Sequence, residues 1–373
     1  HFRDLHRAKS MMLQSWNAVA SAPLRRRQHF GRHLSSSTKA VSRSWGLAID
    51  IDGVVVRGPN LIPGSDEAVR LLKENSVPHV FLTNGGGVTE LQKAQQLDKL
   101  VQCGIGEHQM LLSHTPMKKL AERFKDKRVL LVGGKDTVGA AKSYGFDVDG
   151  GMAVTSAQLA SGVPLYPMAH PGHSHPINPN EPGSPPIEAV LIFFEPVDWG
   201  LELQVICDVL AGGAPLGSGK YPDKRQAAEI FVSNPDFIWK AAYDVPRLAQ
   251  AAFIESLRGI WRRLTGGGEL EVQEFGKPHR VQYEAAEAML RSQPGGESLR
   301  RFYGVGDNPA ADVRGANGAG THWRSLLVCT GVYDGGVTSN DSLDPAWRVE
   351  QDLLSTVTGL LDASDDEHLR GIE

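Results

Sequence analysis

Apolar, strand-like runs alternate with helix-like segments along residues 45–362, and this alternation leaves few possible fold classes. The run Trp45–Asp50 is apolar until its last residue, and Ser65–Asn75 then places Ala and Leu side chains on one helical face. A second apolar run, Val77–Leu82, precedes a helix-like segment at Thr89–Cys103. Strands that alternate with helices are joined by crossovers into a parallel sheet. We therefore predict an α/β fold.

The alternation continues towards the end of the chain. We predict further strands at Arg128–Val132, Ala189–Phe194, Ile230–Ser233, Phe302–Val305 and Ser325–Cys329. We predict further helices at Thr137–Tyr144, Leu201–Leu210, Val245–Thr265, Val281–Arg291, Ala310–Gly318 and 345–362. Residues 161–187 are rich in Pro, Gly, His and Asn and interrupt the pattern, so we predict a surface loop insertion there.

Composition excludes several classes of protein. The 373 residues suffice for two domains. No apolar stretch approaches the ~20 residues that cross a bilayer, so we expect no transmembrane segment. The three cysteines, Cys103, Cys207 and Cys329, form no Cys-x-x-Cys motif. Neither a disulfide framework nor a zinc cluster is therefore indicated.

The first 45 residues hold nine Lys and Arg against one acid. A basic arm can bind nucleic acid or a membrane surface. An Arg-rich, Ser-rich and acid-poor arm is, however, typical of a mitochondrial transit peptide, and Arg32-His33-Leu34 before Ser35 resembles a matrix-protease cleavage site. We predict that residues 1–44 are a transit peptide, with a disordered tail as the alternative. We expect a mitochondrial matrix protein without a nucleic-acid partner.

Four polar motifs follow predicted strands or precede a predicted helix. They are Asp50-Ile51-Asp52-Gly53, Thr83-Asn84, Gly276-Lys277-Pro278 and Gly306-Asp307-Asn308-Pro309-Ala310-Ala311-Asp312. In parallel sheets, ligands bind outside the carboxyl ends of the strands. We therefore expect three of these motifs at one rim, with Lys277 reaching that rim from the start of a helix.

Carboxylates gathered at one rim repel each other unless a cation joins them. Hard oxygen ligands favour Mg²⁺, which takes one or two carboxylates together with water and substrate phosphate. We predict Asp50, Asp307 and the backbone carbonyl of Asp52 as its ligands.

The same residues provide the groups that phosphoryl transfer requires. Asp50 is the predicted nucleophile and forms an aspartyl phosphate. Asp52 is the predicted general acid and base. Lys277 neutralises charge, and Thr83 hydrogen-bonds the phosphoryl oxygens. We expect Asn84 and Gly85 to bind the phosphate as well.

Together the motifs resemble the signatures of the haloacid dehalogenase (HAD) superfamily. The long gap between the second and third motifs matches subfamily IIA, which carries a C2-type α/β cap there. The segments 50–58, 275–278, 304–309 and 327–333 resemble the mitochondrial branch named after the cat eye syndrome critical region. The resemblance implies a three-layer α/β/α Rossmannoid core at 45–116 and 271–373 and a cap at 117–270. It also implies that Asn308 and Asp312 support the metal from a second shell.

The resemblance implies a magnesium-dependent phosphatase of a small phosphorylated metabolite, including a glycerophospholipid intermediate. A binding or assembly protein with weak catalysis and a phosphotransferase are the alternatives, and a homodimer through the cap is expected. Many relatives have an Asn/Ser-rich loop after the second motif, whereas Gly85, Gly86 and Gly87 stand here. Contacts from that loop therefore cannot be transferred from relatives.

Three further segments have structural interpretations. We interpret Gly133-Gly134-Lys135-Asp136-Thr137 as a strand–helix turn rather than an anion site at a helix start. Asn234-Pro235-Asp236 is interpreted as a turn, with a substrate role left open. For Arg57, a phosphate contact and simple exposure both remain open.

Overall fold

The computed structural model describes residues 43–167, 175–219, 221, 225–239, 243, 245 and 247–372. The strands are β1 (Trp45–Ile49), β2 (Val56–Arg57), β3 (Asn60–Leu61), β4 (His79–Leu82), β5 (Met110–Leu111), β6 (Arg128–Val132), β7 (Ala153–Thr155), β8 (Ile187–Ile192), β9 (Glu229–Val232), β10 (Ile238–Trp239), β11 (Arg247–Leu248), β12 (Gln273–Glu274), β13 (Arg301–Gly306), β14 (Trp323–Val328) and β15 (Arg348–Glu350). The α-helices are α1 (Ser65–Glu74), α2 (Glu90–Val101), α3 (Lys119–Arg123), α4 (Thr137–Ser143), α5 (Ser156–Gly162), α6 (Trp199–Ala211), α7 (Gln250–Leu264), α8 (Arg280–Arg291), α9 (Arg314–Gly318), α10 (Leu353–Asp362) and α11 (Asp365–Leu369). The transit-peptide prediction for 1–44 lies almost wholly outside the described residues.

The first sheet has six parallel strands in the order β15-β14-β13-β1-β4-β5. Its central strand, β1, is buried along its whole length. A strand covered on both faces needs apolar residues at every position, which explains its unbroken apolar run. β13 and β4 flank β1, so their carboxyl ends lie side by side.

Helices cover both faces of this sheet. On one face, Ala68 of α1, Ala94 of α2 and Val357 of α10 pack against β1. On the other, Tyr283 of α8 and Ala316 of α9 complete a second cluster. The predicted three-layer α/β/α core is confirmed.

A second sheet is inserted between β5 and α8. It has five parallel strands in the order β12-β9-β8-β6-β7. Helices α5, α6 and α7 cover one face, and α3 and α4 cover the other. The predicted inserted α/β cap is therefore present. The boundary at residue 270 stays a prediction, and β12, just beyond it, pairs with β9.

Two element predictions were wrong. The predicted helix 245–265 begins only at Gln250, because Arg247–Leu248 pairs with Ile238–Trp239 in an antiparallel hairpin. The predicted helix 345–362 contains an edge strand, β15, that pairs with β14. Its helix begins after Asp352, whose side chain accepts a hydrogen bond from the Ser355 backbone N–H.

Candidate active site

The carboxyl ends of β1, β4 and β13 bring the sequence motifs together. Asp50 follows β1, and its backbone N–H donates to the carbonyl of Val305 at 2.8 Å. Thr83 follows β4, and Asp307 follows β13. These three side chains are buried, as is Lys277. The structure therefore gathers at one rim the motifs that were predicted to meet there.

The ammonium group of Lys277 joins two carboxylates. Its Nζ lies 2.5 Å from Oδ1 of Asp50 and 2.6 Å from Oδ1 of Asp312. It also donates to the carbonyl of Leu82 at 3.2 Å. Although burial lowers the pKa of Lys277, Asp312 and Asp50 outweigh that effect and hold its pKa well above the usual value. The lysine is therefore a fixed positive charge beside the predicted nucleophile.

Asn84 fixes the backbone of this lysine. Its Oδ1 accepts from the Lys277 N–H at 2.7 Å, and its Nδ2 donates to the Lys277 carbonyl at 2.9 Å and to Oδ1 of Asp236 at 3.2 Å. Before the lysine, a side chain at Gly276 would put its Cβ 2.6 Å from the Ser233 carbonyl oxygen, and φ there is +80°. Because the Asn84 side chain is fully engaged, its predicted phosphate contact would have to come from its backbone N–H.

Asp50, Asp307 and Asp312 form a buried acidic cluster. One ligand oxygen of each lies within 4.8 Å of the others. The carboxylate of Asp312 lies within this group, and its predicted second-shell role stays a prediction. Asn308 caps the following turn, with Oδ1 accepting from the Ala310 N–H at 3.1 Å. Its predicted support of a metal stays a prediction.

Burial and mutual repulsion make this cluster unfavourable by itself. Burial, followed by the field of Asp312, raises the pKa of Asp307 to about 7. Burial also raises the pKa of Asp50 well above its usual value, against the opposing effect of Lys277. One lysine cannot balance three buried carboxylates. An oxygen-only, electronegative donor set of this kind fits a hard divalent cation.

Asp52 is exposed, in contrast to the buried cluster. A Cβ added to Gly85 would lie 3.9 Å from Oδ2 of Asp52 and 3.2 Å from Oγ1 of Thr83. The Gly85 N–H donates to that same Oγ1 at 2.9 Å. Asp52 and Thr83 therefore flank Gly85 beside the buried cluster.

Two loops of the cap reach this site; both were interpreted from the sequence as turns, with a substrate role left open for Asn234-Pro235-Asp236. Asp236 touches Asn84, as described above, and Lys135 donates from Nζ to the Gly86 carbonyl at 3.2 Å. Each loop follows a cap strand, so the carboxyl ends of the cap strands face those of the core. The sequence signal that could have assigned Lys135 to the site was its position, as a positively charged residue, shortly after a predicted strand. Arg57 donates to the Thr330 carbonyl.

Sequence profiles identify the class of protein that this fold and site define. Residues 47–147 match a profile described as haloacid dehalogenase-like hydrolase, and residues 274–355 match one described as HAD-hydrolase-like.

The chain belongs to the haloacid dehalogenase-like hydrolases, as predicted. It is 30% identical over 332 residues to a mitochondrial hydrolase of Saccharomyces cerevisiae, covering 80% of this chain and 90% of that protein. It is 33% identical over 308 residues to a cardiolipin synthase (CMP-forming)/mitochondrial hydrolase fusion protein of Schizosaccharomyces pombe. That match covers 80% of this chain and 51% of the fusion protein, so the chain spans about half of that relative.

A solved structure shares the fold. The glycerol phosphate phosphatase of Mycobacterium tuberculosis, crystallised with magnesium, aligns with a TM-score of 0.56 at 20% identity. The alignment covers 85% of this chain and 77% of that one. Among the described residues, no helix has the length and apolar character needed to span a membrane.

Proposed function

We propose that this protein is a magnesium-dependent phosphatase that hydrolyses a small phosphorylated metabolite through an aspartyl phosphate on Asp50. The observation that carries the proposal is the Lys277 ammonium group, which lies within 2.6 Å of both Asp50 and Asp312. It holds the Asp50 carboxylate at the strand end and supplies positive charge for a phosphoryl group beside it.

The reaction has two steps on this chain's residues. An oxygen of Asp50 forms a bond to phosphorus while the bond from phosphorus to the substrate's alcohol oxygen breaks, and Asp52 donates a proton to that oxygen. Asp52 then accepts a proton from water as the water attacks phosphorus, which releases phosphate and restores Asp50. Thr83 and the Gly85 N–H group bind phosphoryl oxygens.

Mg²⁺ would be held by Asp50, Asp307 and the Asp52 carbonyl, with Asp312 beside them. The ion would neutralise the charge of the phosphoryl oxygens.

The relatives guide the choice of substrate and location. One structural neighbour is a glycerol phosphate phosphatase, and one relative is fused to a cardiolipin synthase. A glycerophosphate-containing lipid intermediate is therefore our substrate proposal. Both curated relatives described above are named as mitochondrial hydrolases, which supports a mitochondrial location, and we propose the matrix. A homodimer through the cap remains part of the proposal.

A phosphatase screen over a metabolite panel with Mg²⁺, run beside Asp50→Asn, tests this function. We expect turnover of at least one phosphate monoester by the wild type and none by the variant. If the wild type and the variant are equally inactive on every substrate, the alternative of a binding or assembly protein is favoured. Adding acceptor alcohols tests the phosphotransferase, because transfer then yields a new phosphate ester in place of free phosphate.

A further inference from the structure

We propose that Lys135 is a specificity residue that binds a second anionic group, carried by the alcohol part of the substrate. This inference rests on the proposed function and names the class of substrate: phosphate monoesters whose alcohol also bears a carboxylate or a second phosphate.

The loop that carries Lys135 is docked on the core loop beside the catalytic residues. The Asp136 N–H donates to the Gly87 carbonyl at 2.7 Å, and Lys135 Nζ donates to the neighbouring Gly86 carbonyl. A Cβ on Gly87 would lie 2.8 Å from the Phe194 side chain, and φ at Gly87 is +75°. The glycines that depart from the relatives' loop therefore let the cap approach closely enough to bring Lys135 to the site.

The backbone of Lys135 is in a conformation that lysine rarely adopts. Its φ is +55°, in the left-handed region where glycine is favoured and a residue with a Cβ is strained. Two glycines directly precede it. A lysine held in such a conformation suggests that its side chain has a function.

Among the described residues, the ammonium group of Lys135 forms no ion pair with a carboxylate, and its hydrogen bond goes to the Gly86 carbonyl. It lies 3.7 Å from the ring centroid of Phe194, which offers cation–π attraction but no counter-ion. Glu195 and Asp52 act on it only through their fields, beyond ion-pair distance. An ammonium group has three donors, and the Gly86 carbonyl uses one of them. The remaining donors can serve a ligand.

The position of Lys135 identifies which part of the substrate it meets. Lys277 already supplies the charge next to Asp50, where the phosphoryl group reacts. Lys135 donates to the carbonyl of Gly86, next to the Gly85 that Asp52 flanks, and Asp52 faces the leaving alcohol in the proposed reaction. A cation on that side meets the alcohol's substituent, and the Phe194 ring beneath it offers an apolar surface for the connecting carbons.

Matched substrate pairs test this inference. Phosphoglycolate and 2-hydroxyethyl phosphate differ by a carboxylate against a hydroxymethyl group, and glycerol 1,3-bisphosphate and glycerol 1-phosphate differ by one phosphate. We expect Lys135→Met to lower kcat/KM by roughly 10- to 100-fold on the member of the preferred pair that carries the second anionic group, mainly through KM. For the other substrate of the pair, kcat/KM should change less than about twofold. Lys135→Arg should restore most of the lost kcat/KM.

Lys142→Met is the control, because that cap lysine pairs with Asp149 in an exposed position. It should leave all four substrates unchanged. Equal losses for both members of each pair in Lys135→Met, or no loss in either, would overturn the inference.

Calorimetric binding in the Asp50→Asn background separates this inference from the proposed function. We expect the substrate with the second anion to bind more tightly than its partner, and Lys135→Met to abolish the difference. If this binding difference is found but the wild type turns over no substrate, the proposed phosphatase function is rejected and the anion site is retained. Equal binding within both pairs would reject the anion site even if the wild type turns substrates over.

Discussion

The core and the cap are both parallel sheets covered by helices, yet the charged residues that follow their strands differ in burial. Core strands β1 and β13 are followed by buried acids, Asp50 and Asp307, and Lys277 forms an ion pair with Asp50. Cap strands β6 and β8 are followed by less buried charged groups, the exposed Lys135 and the half-buried Glu195. The comparison places the proposed nucleophile among buried charges of the core, whereas the proposed specificity residue lies on the more exposed cap.

The largest expected effect is at the nucleophile. Asp50→Asn keeps the size of the side chain but removes the attacking oxygen anion, so we expect kcat to fall by at least about 10⁴-fold. Steady-state phosphate release measures this. Retention of more than a tenth of the wild-type rate would remove Asp50 from its role.

Lys277→Met tests the buried charge balance of the core. Without the ammonium group, Asp50 and Asp312 lose the cation that pairs with both of them, and we expect about 3–5 kcal/mol less unfolding free energy in urea without Mg²⁺. The matched cap variant is Lys127→Met, which breaks an exposed pair with Glu188 of similar length, 2.6 Å, and should cost no more than ~1 kcal/mol. Equal losses of unfolding free energy in the two variants would refute the contrast between the buried ion pair of the core and the exposed ion pair of the cap.

Glu202 gives the cap a pH dependence of its own. Its carboxylate accepts from the Ser156 hydroxyl at 2.5 Å, and burial raises its pKa from 4.5 to about 7. Between these values the folded protein keeps a proton that the unfolded chain releases, so stability falls as pH rises. We expect Glu202→Gln to gain about 1–2 kcal/mol over wild type at pH 8 and nothing at pH 4. A gain that does not vary with pH would contradict this.

Tyr144 joins the two regions and should show the smallest effect. Its hydroxyl contacts Glu90 of the core at 2.5 Å and Nδ1 of His114 at 2.7 Å. Tyr144→Phe removes these bonds, so we expect a loss of about 1–2 kcal/mol in unfolding free energy and a change in KM of a few-fold. Thermal unfolding and steady-state kinetics measure both. An unchanged Tm would show that this contact does not hold the cap.

The sequence predicted the core strands well because a strand buried on both faces has a continuous apolar run. The same reasoning failed at Arg348–Glu350, a short edge strand with half-buried residues and no periodic signal. It also failed at Arg247–Leu248, where hairpin pairing with Ile238–Trp239 overrode a helix-like pattern.

The site was predictable to the extent that its residues follow strands. Asp50, Thr83 and Asp307 each end a recognisable strand, and Lys277 belongs to a motif. The position of the Asp312 carboxylate in the acidic cluster depends on the turn after Asn308, and the hydrophobic pattern of the sequence does not predict that turn. The approach of Lys135 and Asp236 depends on how two sheets dock. A charged residue after a strand, such as Lys135, indicates a candidate site residue but not which sheet it approaches.

Mass spectrometry of the acid-quenched enzyme during steady-state turnover tests whether Asp50 carries the phosphoryl group. We predict one added phosphoryl group on the peptide that contains Asp50, dependent on Mg²⁺ and absent from Asp50→Asn. A phosphoryl group on another residue, or turnover with no phosphoenzyme in either protein, would contradict it.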